Sequence, residues 1–336
     1  MYKPNAKRYE TMPFVRAGKS GLKLPKISLG FWHNFGEEKS FEAVKETVLR
    51  AFDLGITHFD LANNYGRPAG SAERNLGKIL NNELAPYRDE LIISSKAGFG
   101  MWEGPYGSGG SRKYLMASLD QTLERLGLDY VDIFYHHVYD DQTPLEETMT
   151  ALKDIIASGK ALYVGLSNYP SDKLKEAIKL LKGKGVNPVL FQPHYSLMDQ
   201  FIKEEGHIKV CEEEGLGIIP FSIFNQGILT DKYLNGIPED SRAKDKDNPF
   251  LNEDAISDKL LTLLKALKQI AIRLDLTLTD LSLNYVVSTQ SVTTALVGVS
   301  KLSQLEELAR IKEIDPLSDE VYEEITALVK RYHQED

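Results

Sequence analysis

Three successive apolar runs in this sequence end on side chains that can hold or pass a proton. GITHFD ends on Asp60, with Tyr65 five residues later in the loop that follows; LIISSK ends on Lys96; YVDIFYHH ends on His136 and His137. If the runs are neighbouring strands about 5 Å apart, a carboxylate, a phenol, an ammonium and an imidazole converge. An ammonium beside a phenol stabilises the phenolate and draws a pKa of about 10 toward neutrality. Asp60 would hold Lys96 charged and in place, and Tyr65 could give its proton to a carbonyl oxygen that is becoming an alkoxide. A histidine beside it would orient that carbonyl. Each residue alone has a plainer explanation: a structural Asp60–Lys96 ion pair, a loop tyrosine covering the core, histidines satisfied at a strand end. Four reactive groups on three consecutive strand ends make joint coincidence the weaker reading. A Schiff-base role for Lys96, as in a barrel lyase or isomerase, is a rival, disfavoured because pairing with Asp60 keeps the amine protonated. No second His or Cys cluster has metal-ligand spacing, so no metal is expected.

The elements that must position these groups alternate regularly. Strands are predicted at 26–30, 57–61, 91–96, 130–136, 161–167, 188–192, 216–221 and 293–298. Helices are predicted at 40–54, 71–82, 112–126, 144–158, 171–182, 203–214, 256–274, 279–287, 301–310 and 317–331. Ser40 and Ser71 are fair N-terminal caps, and Gly55, Gly127 and Gly159 are placed to end helices. Ahead of them, residues 1–12 are polar and should run over the surface. The stretch from Met12 to the first strand reads as a hairpin turning at Gly18 and Gly21. Short, β-branched strands without polar alternation read as parallel strands buried on both faces. Eight strand–helix units in one chain favour an α/β (β/α)8 TIM barrel. It carries an N-terminal hairpin and a long loop, 222–255, after strand seven. That loop is too long for an ordinary connection and reads as functional. No Gly-x-Gly-x-x-Gly follows the first strand and no P-loop occurs, which argues against a Rossmann or P-loop nucleotide site. A single domain spanning 1–336 is expected.

A chain of 336 residues with 42% hydrophobic and 26% charged residues can bury a large core. Its net charge of −9 disfavours a general role on nucleic acid or anionic membranes. The lone Cys211 permits no internal disulfide and sits in a helical pattern, where packing outweighs reactivity. No apolar run is long enough to span a membrane, and the N-terminus lacks a signal-peptide pattern, so a cytoplasmic protein is expected.

Along nearly its whole length the chain resembles the aldo-keto reductases, in particular the branch that holds bacterial glyceraldehyde-phosphate reductases and potassium-channel β subunits. The likeness rests on GITHFDLANNYG, SLGFWHNFG, NNYGRPAGSAERNLG, KAGFGMWEGPYGSGGSRKYL and TDKYLNGIPEDSR. The resemblance implies a catalytic tetrad of Asp60, Tyr65, Lys96 and His137, and NADPH bound without a Rossmann fold. Ser167, Asn168 and Gln192 match residues that hold the nicotinamide carboxamide, and Phe221 the aromatic that stacks on its ring. Trp32 is placed beside the cofactor as well. Ser222, Gly227, Leu229, Lys232 and Arg242 fall on the loop that wraps the pyrophosphate. Gly298, Ser300, Lys301, Gln304 and Glu307 match the adenosine end. Departures occur at Ile223-Phe224-Asn225, at Asp231 where a glycine is usual, and at Leu308 where an asparagine is usual. Trp32, His33 and Trp102, on strand-end loops, are expected to wall the substrate pocket, with Arg67, Arg112 and Lys113 as candidates to meet a substrate phosphate. The implied activity is reduction of small aldehydes or ketones such as glyceraldehyde 3-phosphate or methylglyoxal. The alternative is a cofactor-binding regulatory or redox-sensing subunit with little turnover. A small-molecule carbonyl is the expected partner, and relatives that assemble into rings leave room for a homo-oligomer.

Overall fold

The computed structural model of the protein describes residues 2–239, 241–244 and 251–334. Strands β1 (Phe14–Arg16) and β2 (Lys23–Pro25) form an antiparallel hairpin. Then come β3 (Ile27–Gly30), β4 (His58–Asp60), β5 (Ile92–Ala97), β6 (Val131–His136), β7 (Ala161–Ser167), β8 (Leu190–Gln192), β9 (Gly217–Ile218) and β10 (Ala295–Val297). These eight make one parallel sheet in the order β10-β3-β4-β5-β6-β7-β8-β9. The two ends of the sheet meet through the residues leading into β10. Ile218 N–H donates to Ser291 O at 2.8 Å, Thr293 N–H to Ile218 O at 2.8 Å, and Leu296 N–H to Pro220 O at 2.9 Å. The predicted (β/α)8 barrel with its N-terminal hairpin is therefore the observed architecture.

Around it lie α1 (Arg8–Thr11), α2 (Phe41–Asp53), α3 (Ser71–Leu80), α4 (Arg112–Leu126), α5 (Leu145–Ala157) and α6 (Ser171–Gly183). The chain continues through α7 (Phe201–Glu204), α8 (His207–Glu214), α9 (Asp258–Arg273), α10 (Leu278–Val287), α11 (Leu302–Leu308) and α12 (Asp319–Gln334). Helix α2 shows the local logic. Ser40 Oγ accepts the Ala43 N–H, and the stripe Val44, Val48, Ala51, Phe52 is buried against the sheet. Burying each large member of such a stripe stabilises the fold by about 1.5–3 kcal/mol. Gly55, at φ +83°, lets the chain turn back into β4.

The barrel interior is a separate cluster in which Ile133, Tyr135, Leu190 and Ile219 meet Ala17, Leu22 and Leu24 of the hairpin. The hairpin thus plugs the N-terminal end of the barrel. Gly18, at φ +52°, makes the close approach: a Cβ there would lie 2.1 Å from the Gly215 carbonyl oxygen. Gly21 does not take positive φ, so one glycine of the pair serves the turn. Tyr135 fits inside because its neighbour on β7 is Gly165, where a Cβ would sit 2.1 Å from the phenol ring.

Three local expectations are corrected. Residues 2–12 do not simply run over the surface: Tyr2 Oη donates to Asp53 Oδ1 at 2.8 Å, and Arg8–Thr11 is a helical turn. The helix predicted over 203–214 is two, because Gly206 takes φ +81° between them. Strand 216–221 shortens to β9, since Pro220 has no N–H to give a ladder; Phe221 rejoins as a bridge to His194. The described part of 222–255 is built of short turns, at Asn225–Gly227, Asp231–Tyr233 and Glu253–Ala255. Among the described residues no helix is long and apolar enough to cross a membrane, and no group of three or more His, Cys, Asp or Glu could hold a metal ion.

Candidate active site

In a β-strand every second side chain faces the same way. Asp60 on β4 and Lys96 on β5 both face the barrel axis, at the C-terminal end of their strands, and neither side chain is exposed. Lys96 Nζ donates to Asp60 Oδ2 at 2.5 Å and to the Leu61 carbonyl at 2.6 Å. Ser94, two residues before Lys96, donates from Oγ to Asp60 Oδ1 at 2.6 Å, and Gln192 Nε2 reaches the same oxygen at 3.3 Å. The carboxylate is thus fixed on both oxygens. The ammonium lies 5.1 Å from the centre of the Tyr65 ring and 5.8 Å from that of Tyr135. Tyr65 Oη stands 3.4 Å from His137 Nε2, and the two rings meet edge to face with centroids 5.8 Å apart. His137 is positioned from behind, where its carbonyl accepts Asn168 Nδ2 at 3.0 Å. The four predicted groups are therefore brought together. His136 points the other way, with Nδ1 2.5 Å from the Tyr169 hydroxyl.

The electrostatics differ from the sequence expectation in one respect. Burial, reinforced by the Asp60 charge, holds the Tyr65 phenol well above its ordinary value instead of drawing it toward neutrality. The physical reason is where Lys96 spends its charge: its N–H groups go to Asp60 and Leu61, and it meets Tyr65 over the ring. Burial pulls Lys96 itself down, while Asp60 pulls it back up. His137 is held well below its usual range by burial and then by the nearby Lys96 charge and His136, so its imidazole is neutral.

At the mouth, Trp32 and His33 have ring centroids 4.0 Å apart, and Trp102 packs 5.1 Å from Tyr114. After burial, the charges of Arg242 and Arg67 are what depress His33, so these groups share one neighbourhood. Arg112 is instead paired with Asp154 at 2.5 Å, and Lys113 lies over the Tyr106 ring at 5.3 Å. Phe99, which the sequence pattern does not single out, stands edge-on to His137 at 4.7 Å and is exposed at the mouth. Its signal is position: it follows Lys96 by three residues, on the same strand-end loop. Ser94 and His58 were also missed, although each precedes a tetrad residue by the two-residue strand period.

The residues predicted for a cofactor lie at the ends of β7 and β8, along the loop after β9, and from the end of β10 into α11, with Trp32 just after β3. Ser167 Oγ donates to Gln192 O at 2.7 Å, and Asn168, at φ +53°, donates from Nδ2 to Ser167 Oγ at 3.1 Å. Phe221 is half-buried, with the His194 ring edge-on at 5.5 Å. Ser222 takes φ +56°, and Arg242 Nη1 donates to Gln226 Oε1 at 2.8 Å. Leu229 is fully buried, its N–H bonded to Phe224 O and its carbonyl to Ser282 Oγ. Lys232 and Lys301 are exposed. Gln304 Oε1 accepts from Ser300 N at 2.8 Å and Lys301 N at 3.2 Å, so it closes the start of α11. Glu307 is held above the usual carboxyl range by burial and by Asp280. Asp231 pairs with Lys268 at 2.7 Å and accepts the Leu278 N–H at 3.2 Å, turning its charge toward α9 and α10. Leu308 and Ile223 are core residues.

A family model described as the aldo/keto reductase family matches residues 26–330. Two relatives named L-glyceraldehyde 3-phosphate reductase, from Escherichia coli O157:H7 and strain K12, are each 48% identical over 305 residues, covering 90% of this chain and 88% of theirs. A protein of Oryza sativa subsp. japonica named probable voltage-gated potassium channel subunit beta is 32% identical over 322 residues, covering 95% of this chain and 97% of its own.

Proposed function

The chain belongs to the aldo/keto reductase family, and on that premise we propose that it reduces small aldehydes or ketones to alcohols with NADPH, Tyr65 serving as proton donor. The observation that carries this is the pair of polar tips at the C-terminal mouth. Tyr65 Oη and His137 Nε2 lie 3.4 Å apart, longer than a good O–H···N bond. Two polar tips that close can both reach one small acceptor placed between them. A carbonyl oxygen is such an acceptor. A neutral His137 with its proton on Nε2 orients the carbonyl, and Tyr65 hands over its proton as negative charge grows on the oxygen. A phenol held above its ordinary value keeps its proton at neutral pH, which suits reduction. The Lys96 charge beneath the ring eases the charge that Tyr65 acquires once the proton has left.

The residues at the ends of β7 to β10 fit a nicotinamide nucleotide, which would supply the hydride when bound. Asn168 gives its amide hydrogens to His137 O and Ser167 Oγ, leaving Oδ1 to accept from a carboxamide. A Cβ added at Gly227 or Gly298 would meet open space, so both sites offer room for a ligand against backbone. Ser167, Gln192, Phe221 and Ser222 would hold the nicotinamide half; Lys232, Arg242, Ser300, Lys301, Gln304 and Glu307 would line the phosphate and adenosine half. The relatives named glyceraldehyde 3-phosphate reductase, and the cations Arg67 and Arg242 beside His33, favour a short carbonyl bearing phosphate. Methylglyoxal is the smaller companion probe.

The test is titration of NADPH fluorescence followed by glyceraldehyde 3-phosphate or methylglyoxal. Binding followed by oxidation of the nucleotide is expected. Tyr65→Phe should still bind NADPH and lose about 10²–10⁴-fold in kcat; unchanged turnover would remove Tyr65 as the acid. Nucleotide that binds and is oxidised by no carbonyl would move the chain to a regulatory subunit role.

A further inference from the structure

One buried histidine takes no part in the chemistry above, yet touches it. His58 precedes Asp60 by two residues on β4 and faces the same way, one layer deeper in the barrel. Its ring is fully buried. Nε2 lies 2.9 Å from Ser94 Oγ, and Nδ1 lies 2.8 Å from Ser28 Oγ. Ser28 Oγ in turn lies 2.8 Å from Thr294 Oγ1 on the residues entering β10. The far end is the 2.6 Å bond from Ser94 Oγ to Asp60 Oδ1.

With His58 neutral, counting protons fixes every direction in this series. The Asp60 carboxylate can only accept, so Ser94 spends its single proton there. Ser94 can then only accept from His58, which places a proton on Nε2. A neutral imidazole has no second N–H, so Nδ1 accepts from Ser28, and Ser28 accepts from Thr294. Burial supports the neutral form by pushing His58 down to about 4, with the Lys96 charge adding to it and Asp60 opposing. Thr294, Ser28, His58 and Ser94 therefore form a one-way series of donors ending on one oxygen of Asp60.

We infer that His58 is a positioning residue: as the Nε2–H tautomer it locks the Ser94 proton onto Asp60 Oδ1 and reserves Oδ2 for Lys96. Without that donor, Ser94 can turn its proton elsewhere, and the carboxylate is released to rotate about its last bond. Lys96 then loses its fixed place under Tyr65. The effect on turnover rests on the reductase reading; the tautomer does not, so the two can fail separately.

The experiment uses the full chain labelled with ¹⁵N-histidine, together with five variants. His58→Gln keeps an N–H donor at about the reach of Nε2, whereas His58→Met removes it. Long-range ¹H–¹⁵N spectra of the wild type at pH 7 should show His58 neutral with its proton on Nε2, assigned as the signal lost in His58→Gln. An Nδ1–H tautomer or an imidazolium would overturn the inference. With a carbonyl probe, His58→Met and Ser94→Ala should each lower kcat about 10–100-fold, with NADPH affinity unchanged. The double variant should be no slower than the worse single one. His58→Gln should recover most of the kcat lost in His58→Met. Equal activity of the Gln and Met variants, or full multiplication of the two single losses, would overturn it. If His58→Met does not fold, Ser94→Ala and Thr294→Val carry the test, the second with the smaller loss; no loss in Ser94→Ala refutes the inference. A wild type with no turnover would defeat the reductase reading and leave the tautomer measurement to decide this one.

Discussion

Replacing Lys96 by methionine is the sharpest test of how the site is held together. The Asp60 and Lys96 side chains are both wholly unexposed and meet at 2.5 Å. Removing the cation leaves a buried carboxylate whose remaining donors are neutral, Ser94 and Gln192. Breaking a buried pair from one side costs about 3–5 kcal/mol, because the surviving charge is uncompensated. Unfolding entropy of roughly 2 cal/mol/K per residue makes a chain of this length lose about 1.4 °C in Tm per kcal/mol. The single variant should therefore melt about 4–7 °C below the wild type. Replacing both partners, Asp60→Leu with Lys96→Met, removes the stranded charge and should restore most of that loss, since apolar substitutes for a buried pair are often neutral. Both variants should be inactive, so melting by calorimetry and turnover are read independently. A Lys96→Met protein melting within 1 °C of wild type, or a double variant melting as low as the single, would refute the reasoning.

Acid should destabilise the protein before most carboxylates titrate. His58 and His136 are each pushed down to about 4 by burial, against about 6.5 in the unfolded chain. Between those values the unfolded state binds protons that the native state refuses, so stability is intact above pH 6.5 and falls as pH drops toward 4. From pH 7 to pH 5 each histidine removes about 2 kcal/mol, and His137 acts in the same direction. Denaturant midpoints at pH 7, 6 and 5 check this, and a flat profile contradicts it. Gly165→Ala should cost about 1–3 kcal/mol by forcing the Tyr135 ring off its place beside Lys96, and should lower kcat as well; a variant with wild-type melting and turnover would show that the ring moves at no cost.

The strand ends were legible because parallel strands buried on both faces write themselves as unbroken apolar runs, and a charged residue at the end of such a run has few structural reasons to be there. Asp60, Lys96 and the pair His136–His137 stand out on that ground, and the resemblance to the family is what picks His137 from the pair. The layer beneath them is harder to read. Serines, threonine and histidine inside strands look like ordinary polar interruptions until register places Ser94 beside Asp60 and carries Ser28 to Thr294 across 266 positions of sequence. The fate of Asp231 was likewise unreadable, since Lys268 and the start of α10 lie dozens of residues away. Local breaks were missed where one residue decides them: Gly206 divides a helix whose apolar pattern continues on both sides. The rise in the Tyr65 phenol could not be read from residue types, because it depends on which acceptors Lys96 has already satisfied.

The seam between β9 and β10 has a consequence for synthesis of the protein. Ala295 pairs with Ile27, so the strand that closes the barrel is made long after the strand it must find. Until then β3 to β9 can exist only as an open trough with two unpaired rims. The water-averse inner wall lies uncovered along the trough, and Ser28 waits for a partner that has yet to be translated. Nascent chains are therefore most vulnerable to sticking rim to rim in the interval between residues 218 and 291, and a holdase that covers β3 and β9 during that interval would raise the yield of folded enzyme without touching its final stability.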